Sequence, residues 1–229
     1  MTPTLTFPGG KRAAISFTFD DGSQEHADVA APLLEEHGFR GTFFVIAGLT
    51  REKKAEPPAK NRVRSWWAEV SWQEWREAAA RGHEIGNHSL THPVGGLAKI
   101  KDDAQLLLEI DDSAELITEK IHQAPVSFAY PYNKTSARVR AMVARHHPAI
   151  RETQARYGGK WFSLGKANGL VDRAIRKGQW LVPMIHGING GWDPLDAELF
   201  RQHLRYIKER EAEIWVETFG NVSRHCERG

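Results

Sequence analysis

Several features that define other protein classes are missing from this chain of 229 residues. It has a single cysteine, Cys226, which excludes an intramolecular disulfide. Its formal net charge of +2 gives no electrostatic argument for nucleic-acid binding. No apolar segment is long enough to cross a membrane, and there is no internal repeat or low-complexity tract. The length fits one α/β barrel domain spanning 1–229.

The amino terminus also lacks the pattern of a secretory signal. The first ten residues, MTPTLTFPGG, contain neither a charged n-region nor an apolar h-region. We therefore expect a cytoplasmic protein, or a secreted one if a leader has been removed, with no membrane or nucleic-acid partner.

Strand and helix patterns alternate along the chain, which predicts parallel βα units. The predicted strands are 13–19, 41–47, 83–87, 128–130, 150–156, 180–185 and 213–218. The predicted helices are 25–37, 72–81, 102–122, 136–146, 168–177 and 196–210. In barrels built this way the chemistry lies at the carboxyl ends of the strands.

Two adjacent carboxylates follow the first predicted strand. Asp20 and Asp21 come directly after the alternating residues 13–19, and Gly22 permits a turn after them. Successive residues of a strand point to opposite faces, so the two acids cannot both project the same way from regular β structure. We expect them to fan out into the following loop.

Two histidines follow a second predicted strand, at 83–87. Pro93 biases His92 away from helical conformation, so His88 and His92 belong to a loop or strand end. Catalytic zinc typically takes three nitrogen or oxygen ligands and keeps a fourth position for water. One carboxylate and two imidazoles would supply those ligands and leave the second carboxylate as a base. This combination indicates metal-assisted hydrolysis.

Two further segments, FAYPY at 128–132 and WLVPMIHG at 180–187, end apolar runs with polar or aromatic residues. With all four segments in order, the chain resembles polysaccharide deacetylases of the NodB-homology type, carbohydrate esterase family 4, over roughly 11–222. The resemblance implies a deformed (β/α) barrel, usually of seven parallel strands.

The resemblance also implies a role for each residue of the first two motifs. Asp20 would be the general base, while Asp21, His88 and His92 would hold a divalent metal. Zinc is the expected ion, with cobalt, nickel and manganese as alternatives. The substrate would be an N- or O-acetylated sugar of a poly- or oligosaccharide, and acetate would be released.

The later motifs imply further site residues. The backbone N–H of Tyr132, in the AYPY segment, would line an oxyanion hole, and His186 would be the general acid. Trp161 and Trp192 are candidates for the wall of a sugar-binding pocket, although any of these tryptophans could equally be buried core.

Two departures from the family pattern stand out. Ala129 occupies the place of the arginine that normally orients the catalytic aspartate. Either a substitute cation, from the basic stretch 51–64, serves Asp20, or the base is less tightly held. The fourth family motif, an aspartate and a tryptophan that position the catalytic histidine, is not recognisable. Asp172 is the nearest acid, but it lies on a predicted helix and is better interpreted as a solvated surface residue.

The basic, proline-containing stretch at about 50–67 is long for a βα connection. It is either a solvated loop or a rim over the active site, with Trp66 or Trp67 stacking on a sugar face.

Two alternatives to the deacetylase remain open. A hydrolase of the same fold could cleave a non-peptide C–N bond in a cyclic amide, ureide or imide, which the missing arginine, the missing fourth motif and the absent leader favour. Acetate release, set against ring opening of allantoin, would separate these two activities. A catalytically inactive carbohydrate-binding protein is the other alternative, but binding alone would not need all five motif residues.

Overall fold

A curved sheet of seven parallel strands forms most of a barrel in the computed structural model, which describes residues 7–53, 67 and 69–226. The ten strands are β1 Ala13–Ile15, β2 Thr18–Asp20, β3 Thr42–Val45, β4 Glu84–Asn87, β5 Ser127–Ala129, β6 Ala149–Arg151, β7 Ala155–Arg156, β8 Trp180–Leu181, β9 Pro183–Ile185 and β10 Ile214–Val216. The order in the main sheet is β6-β5-β4-β3-β2-β9-β7. This confirms the predicted seven-stranded, deformed (β/α) barrel.

The two edges of the main sheet come close together. Its edge strands β6 and β7 are separated along the chain by residues 152–154 alone. So short a connection spans little more than about 14 Å, at about 3.5 Å per residue. The sheet must therefore curl, which brings the carboxyl ends of distant strands to one mouth.

Three predicted strands are each divided in two. The segment 13–19 forms β1 and β2, and 180–185 forms β8 and β9, because the chain passes from a small sheet of order β10-β1-β8 into the main sheet. Pro183 begins β9 and has no N–H to donate, which suits a strand start. The third, 150–156, divides into the two edge strands β6 and β7. A continuous apolar pattern could not show these changes of partner.

Helices cover the outside of the sheet. They are α1 Ala31–Glu36, α2 Trp72–Ala80, α3 Asp103–Leu107, α4 Ser113–Ile121, α5 Ala137–Val143, α6 Leu164–Lys177, α7 Ala197–Lys208 and α8 Phe219–Cys226. The six predicted helices correspond to α1–α7, and α8 was not predicted. Side-chain caps begin several of them; at α2, Ser71 and Glu74 form a reciprocal capping box.

Two predicted helices contain a π-helical turn. Residues His26–Ala30 precede α1, and Leu108–Asp112 join α3 to α4. Such turns frequently occur at functional sites, and both of these lie beside the residues described below.

Aromatic side chains fill the layer between sheet and helices. Phe19 stacks on Phe43 with ring centroids 5.0 Å apart, and Phe43 lies 5.2 Å from the ring of Trp75 on α2. All three side chains are fully buried. Aromatic packing of this kind fixes β2 and β3 against the helices and so fixes the position of the strand ends. Among the described residues, no helix has the length and apolar character needed to span a membrane.

Candidate active site

The two adjacent aspartates lie together at the carboxyl end of β2. Asp20 is the last residue of that strand, and Asp21 follows it with a φ of 75°, a left-handed conformation that is uncommon for a residue other than glycine. This local turn redirects the backbone, so that both carboxylates line one cavity instead of opposite faces of the sheet. Both are almost completely buried.

Asp21, His88 and His92 form a cluster with the composition of a metal site. Their ligand atoms all lie within 4.8 Å of one another. The Nε2 atoms of His88 and His92 are 3.3 and 3.5 Å from Asp21 Oδ1. His88 Nδ1 donates a hydrogen bond to the Ala129 carbonyl at 2.8 Å, which directs the Nε2 lone pair toward Asp21.

The lowered pKa of His92 and the unsatisfied oxygen of Asp21 suit a divalent cation. Burial, and then the neighbouring His88, lower the pKa of His92 to about 4, so its imidazole is neutral at ordinary pH. Asp21 Oδ1 is buried and accepts no hydrogen bond from the described residues. A carboxylate and two imidazoles are ligands that zinc and similar ions accept. The residues therefore fit the metal that the sequence predicted.

A buried glutamate holds the loop that carries the two histidines. Glu109, in the π-helical turn after α3, accepts hydrogen bonds from Leu90 N at 3.1 Å and Thr91 N at 2.9 Å. It also accepts one from the Thr91 hydroxyl at 2.5 Å. This carboxylate satisfies backbone groups between His88 and His92 and thereby fixes their separation. No motif in the sequence indicates this role for Glu109.

Arg151 supplies the cation that Ala129 lacks. Its guanidinium donates two parallel hydrogen bonds to Asp20, from Nη1 to Oδ1 at 2.6 Å and from Nη2 to Oδ2 at 2.5 Å. Nη1 also donates to Thr18 Oγ1 at 2.9 Å, and the guanidinium carbon lies 4.8 Å from the centre of the Phe44 ring. Burial alone would raise the pKa of Asp20, but Arg151 holds it far below its usual range.

The substitute cation therefore comes from a different place than predicted. The sequence pointed to the basic stretch 51–64, most of which lies outside the described residues. The structure instead uses the end of β6, where Arg151 is paired in register with Ala129 of β5. An arginine at the carboxyl end of a predicted strand was the available signal. Its partner could not be read from the sequence, because the contact joins residues 131 positions apart.

His186 follows β9 and faces Asp20 across the cavity. Its Nε2 lies 4.0 Å from Asp20 Oδ2, and about a fifth of its side chain is exposed. Its Nδ1 is buried and has no hydrogen-bond partner among the described residues. Asp172, the acid considered for the missing fourth motif, lies on α6 and accepts a hydrogen bond from Tyr206 at 2.6 Å. It belongs to the helical surface, as expected.

These residues line one open cavity of about 690 Å³. Trp192 and Trp67 stand at its rim, with 56 % and 36 % of their surface exposed. The ring of Tyr132 lies 4.7 Å from that of His92, on a turn where Tyr132 has a φ of 58°. The lining residues are Asp20, Asp21, Trp67, His88, His92, Tyr130, Tyr132, Asn133, Lys134, Arg156, Met184, His186 and Trp192. Trp66 and the side chain of Trp161 lie outside what the structure describes.

Fold and site together are those of a hydrolase barrel with a buried carboxylate–imidazole cluster. The chain belongs to the polysaccharide deacetylase family, whose profile it matches over residues 8–148. The matched part contains Asp20 and the three candidate metal ligands but ends before Arg151 and His186.

The chain is also similar to named relatives, one of them a deacetylase, and shares its fold with solved structures. The chain is 25% identical to a gellan lyase of a Bacillus species, over 95% of this chain and 10% of that protein. It is 29% identical to a chitooligosaccharide deacetylase of Rhizobium leguminosarum bv. trifolii, over 55% of this chain and 49% of that protein. The fold matches a peptidoglycan deacetylase structure from Bacillus subtilis with a TM-score of 0.60 and 18% identity, covering 94% of this chain and 92% of that one. The chain thus spans a tenth to about half of the curated relatives' lengths.

Proposed function

We propose that this protein removes acetyl groups from the N- or O-acetylated sugars of a poly- or oligosaccharide and releases acetate. The observation that carries the proposal is the convergence of Asp20, the Asp21–His88–His92 cluster and His186 on one solvent-open cavity. Family membership and the chitooligosaccharide deacetylase among its relatives support a sugar substrate.

Asp21, His88 and His92 are the residues that would hold a divalent metal, with zinc expected and cobalt, nickel or manganese as alternatives. Bound there, such an ion would lower the pKa of a water molecule and polarise the acetyl carbonyl. The buried Asp21 oxygen that accepts no hydrogen bond, and the neutral imidazole of His92, are what fit the cluster for this task.

Asp20 is the general base in this proposal. It takes a proton from the attacking water, and the bidentate pair with Arg151 fixes the orientation of its carboxylate. The same pair lowers the pKa of Asp20 and so favours its ionised form, which is the form that a general base needs. Arg151 is therefore a positioning residue, because it acts through Asp20 and not on the substrate.

Tyr132 and His186 complete the proton and charge transfers. The Tyr132 backbone N–H would donate to the oxyanion that forms when water adds to the carbonyl carbon. His186 gives a proton to the leaving nitrogen or oxygen as the C–N or C–O bond breaks. The products are acetate and a sugar with a free amine or hydroxyl group.

The rim of the cavity suits a carbohydrate chain. Trp192 and Trp67 present exposed aromatic faces beside the site, and flat apolar rings pack well on the C–H faces of sugars. A volume of about 690 Å³ lies within the usual range of about 300–1,000 Å³ for small-molecule sites. The open mouth would let a longer polymer continue past the reacting sugar.

The cyclic amide or ureide alternative has lost its main support. It drew weight from the missing arginine, and Arg151 provides that cation. The relatives described above are named for activities on poly- or oligosaccharides. Among the described residues, the cavity lining adds no observation that favours a small cyclic substrate, and the missing fourth motif is what still supports that alternative.

Acetate release tests the proposal directly. Apo-protein loaded separately with zinc, cobalt, nickel or manganese is incubated with acetylated chito-oligosaccharides and acetylxylan, and with allantoin as the competing substrate. We expect acetate from at least one glycan and no ring opening of allantoin. Ring opening without acetate release would overturn the proposal.

The division of labour between the two aspartates is tested by matched variants. Asp20→Asn should keep bound metal and lose about 10²–10⁴-fold in kcat, the usual size of a general-base contribution. Asp21→Asn and His88→Ala should lose the metal itself, measured by elemental analysis. Equal metal loss in Asp20→Asn and Asp21→Asn would contradict these roles.

A further inference from the structure

A buried histidine lies directly behind the residue that we assign as the general acid. His26, in the π-helical turn after β2, is completely buried, and its Nε2 is 2.5 Å from the backbone carbonyl oxygen of His186. The ring packs against Phe19 and Phe43, with centroid distances of 5.3 and 6.0 Å. Neither the family motifs nor the mechanism above uses this residue.

The hydrogen bond has a defined direction. A carbonyl oxygen can only accept, so His26 must carry its proton on Nε2 and donate it to His186. Burial lowers the pKa of His26 to about 4, so the ring is neutral and the Nε2–H tautomer is the one present at working pH.

His186 needs such an anchor because its own side chain has little support. The pairing of β2 with β9 ends at Phe19 and Ile185, one residue before His186. Beyond that point the left-handed Asp21 takes the chain out of the ladder. The His186 carbonyl is instead bonded by His26, with the Ser23 hydroxyl as a weaker donor at 3.5 Å.

We propose that His26 is a positioning residue for the general acid: it ties the His186 backbone to the segment that carries Asp20 and Asp21, and so sets the distance between acid and base. This rests on the proposed function. The missing fourth motif would otherwise leave His186 without a partner that orients it, since its Nδ1 is unbonded among the described residues. The anchor acts on the backbone of His186 and not on its ring.

If His26 positions the general acid, the effect of removing His26 on the reaction rate should depend on whether the leaving group needs a proton. An amine or sugar alcohol must be protonated as it departs, whereas 4-nitrophenolate leaves readily without a proton. A displaced His186 should therefore slow deacetylation of an N-acetylated chito-oligosaccharide and leave hydrolysis of 4-nitrophenyl acetate nearly unchanged. A misplacement of about 1 Å can cost on the order of 10²-fold in rate.

The test compares His26→Met with His26→Gln in the metal-loaded, full-length chain. The two replacement side chains have the same length, but only Gln keeps an N–H donor near the position of Nε2. We expect the ratio of oligosaccharide to aryl-ester kcat to fall about 10–100-fold in His26→Met and to return to within about threefold of wild type in His26→Gln. Both rates are measured on one preparation, so a partly unfolded sample leaves the ratio unaffected.

His203→Gln is the control, because His203 is another fully buried histidine, packed 6.2 Å from the Phe17 ring, and it is not among the residues that line the cavity. The ratio of oligosaccharide to aryl-ester kcat in His203→Gln should equal that of wild type. Equal loss of both activities in His26→Met, or an unchanged ratio, would overturn the positioning role. Absence of acetate release by the wild-type protein would instead refute the proposed function.

Discussion

At the scale of single residues, the pairing of Arg151 with Asp20 shows how a motif can lose a residue and keep its chemistry. The family arginine belongs to the segment where this chain has Ala129, and here the cation comes from the adjacent strand at the same level. What remains of the original position is the Ala129 carbonyl, which orients His88. The carbonyl is a backbone group, so this second task does not depend on the side chain at position 129.

Removing Arg151 should therefore affect the ionisation and orientation of Asp20, the proposed general base. In Arg151→Ala, the buried carboxylate of Asp20 loses its counter-charge, which typically costs about 3–5 kcal/mol of stability. The pKa of Asp20 should rise, so the acidic limb of the kcat profile should move to higher pH as more of the base becomes protonated. A pH–rate series together with urea unfolding measures both effects.

The register of β5 and β6 provides a matched rescue. In the double variant Ala129→Arg with Arg151→Ala, the arginine returns to the family position beside the space that Arg151 vacated. We expect recovery of at least part of the lost kcat and a return of the acidic limb toward its wild-type position. Arg140→Met, on the exposed side of α5, is the control for loss of a positive charge. No recovery in a folded double variant would show that only β6 can supply the cation.

At the scale of elements, the π-helical turn Leu108–Asp112 determines the shape of the metal-ligand loop. The extra residue in this turn places Glu109 beneath the backbone of Leu90 and Thr91. A regular α-helix from α3 to α4, which the sequence pattern predicted, would present a different side chain at that point. The loop geometry thus depends on an irregularity that periodicity does not reveal.

Glu109→Gln should weaken metal binding without removing a ligand. An amide accepts through only one of its two terminal atoms, so the Thr91 hydroxyl would have to accept from the NH2 group instead of donating, and the two backbone N–H bonds would lose the negative charge that strengthens them. We expect metal affinity to fall about 10–100-fold, as is usual for groups that support ligands. Competition with a chromophoric chelator measures it, and Glu115→Gln on α4 is the control. Identical affinities for the two variants would exclude the supporting role.

Much of the fold and of the site could be predicted at this scale. The six predicted helices cover the observed α1–α7, and the two motif segments identified Asp20, Asp21, His88 and His92. The divided strands 13–19 and 180–185 could not be predicted, because the same apolar run serves two sheets. Arg151 and Glu109 were missed for a related reason: each acts on a partner that only the closed barrel brings near.

At the scale of the whole molecule, buried histidines should make the protein sensitive to acid. Burial lowers the pKa of His147 and of His203 to about 4, below the ordinary value near 6.5 that the unfolded chain would have. A depressed pKa means that the unfolded state binds the proton more tightly. Folding stability is therefore complete above about pH 6.5 and falls as pH decreases toward 4.

For His203 alone, this linkage predicts a loss of about 2 kcal/mol between pH 7 and pH 5. In His203→Gln the free energy of unfolding should change correspondingly less over that interval, as measured by urea denaturation at both pH values. His122→Asn is the control, because His122 is exposed in a left-handed turn that asparagine accepts. If the free energy of unfolding of His203→Gln fell as much between pH 7 and pH 5 as that of wild type, His203 would not be a source of acid sensitivity.

The long sequence separation within the Asp20–Arg151 pair has a consequence for the order in which the enzyme matures. During synthesis, every candidate metal ligand has been added to the chain by residue 92, before Arg151 and His186 are made. Closing a loop of 131 residues carries an entropic cost that grows with its length, and burying Asp20 without its counter-charge is unfavourable. In refolding experiments we expect metal uptake to precede acetate-releasing activity, with a lag set by the docking of β6. A nascent or truncated chain could then sequester a metal ion while remaining unable to deacetylate anything.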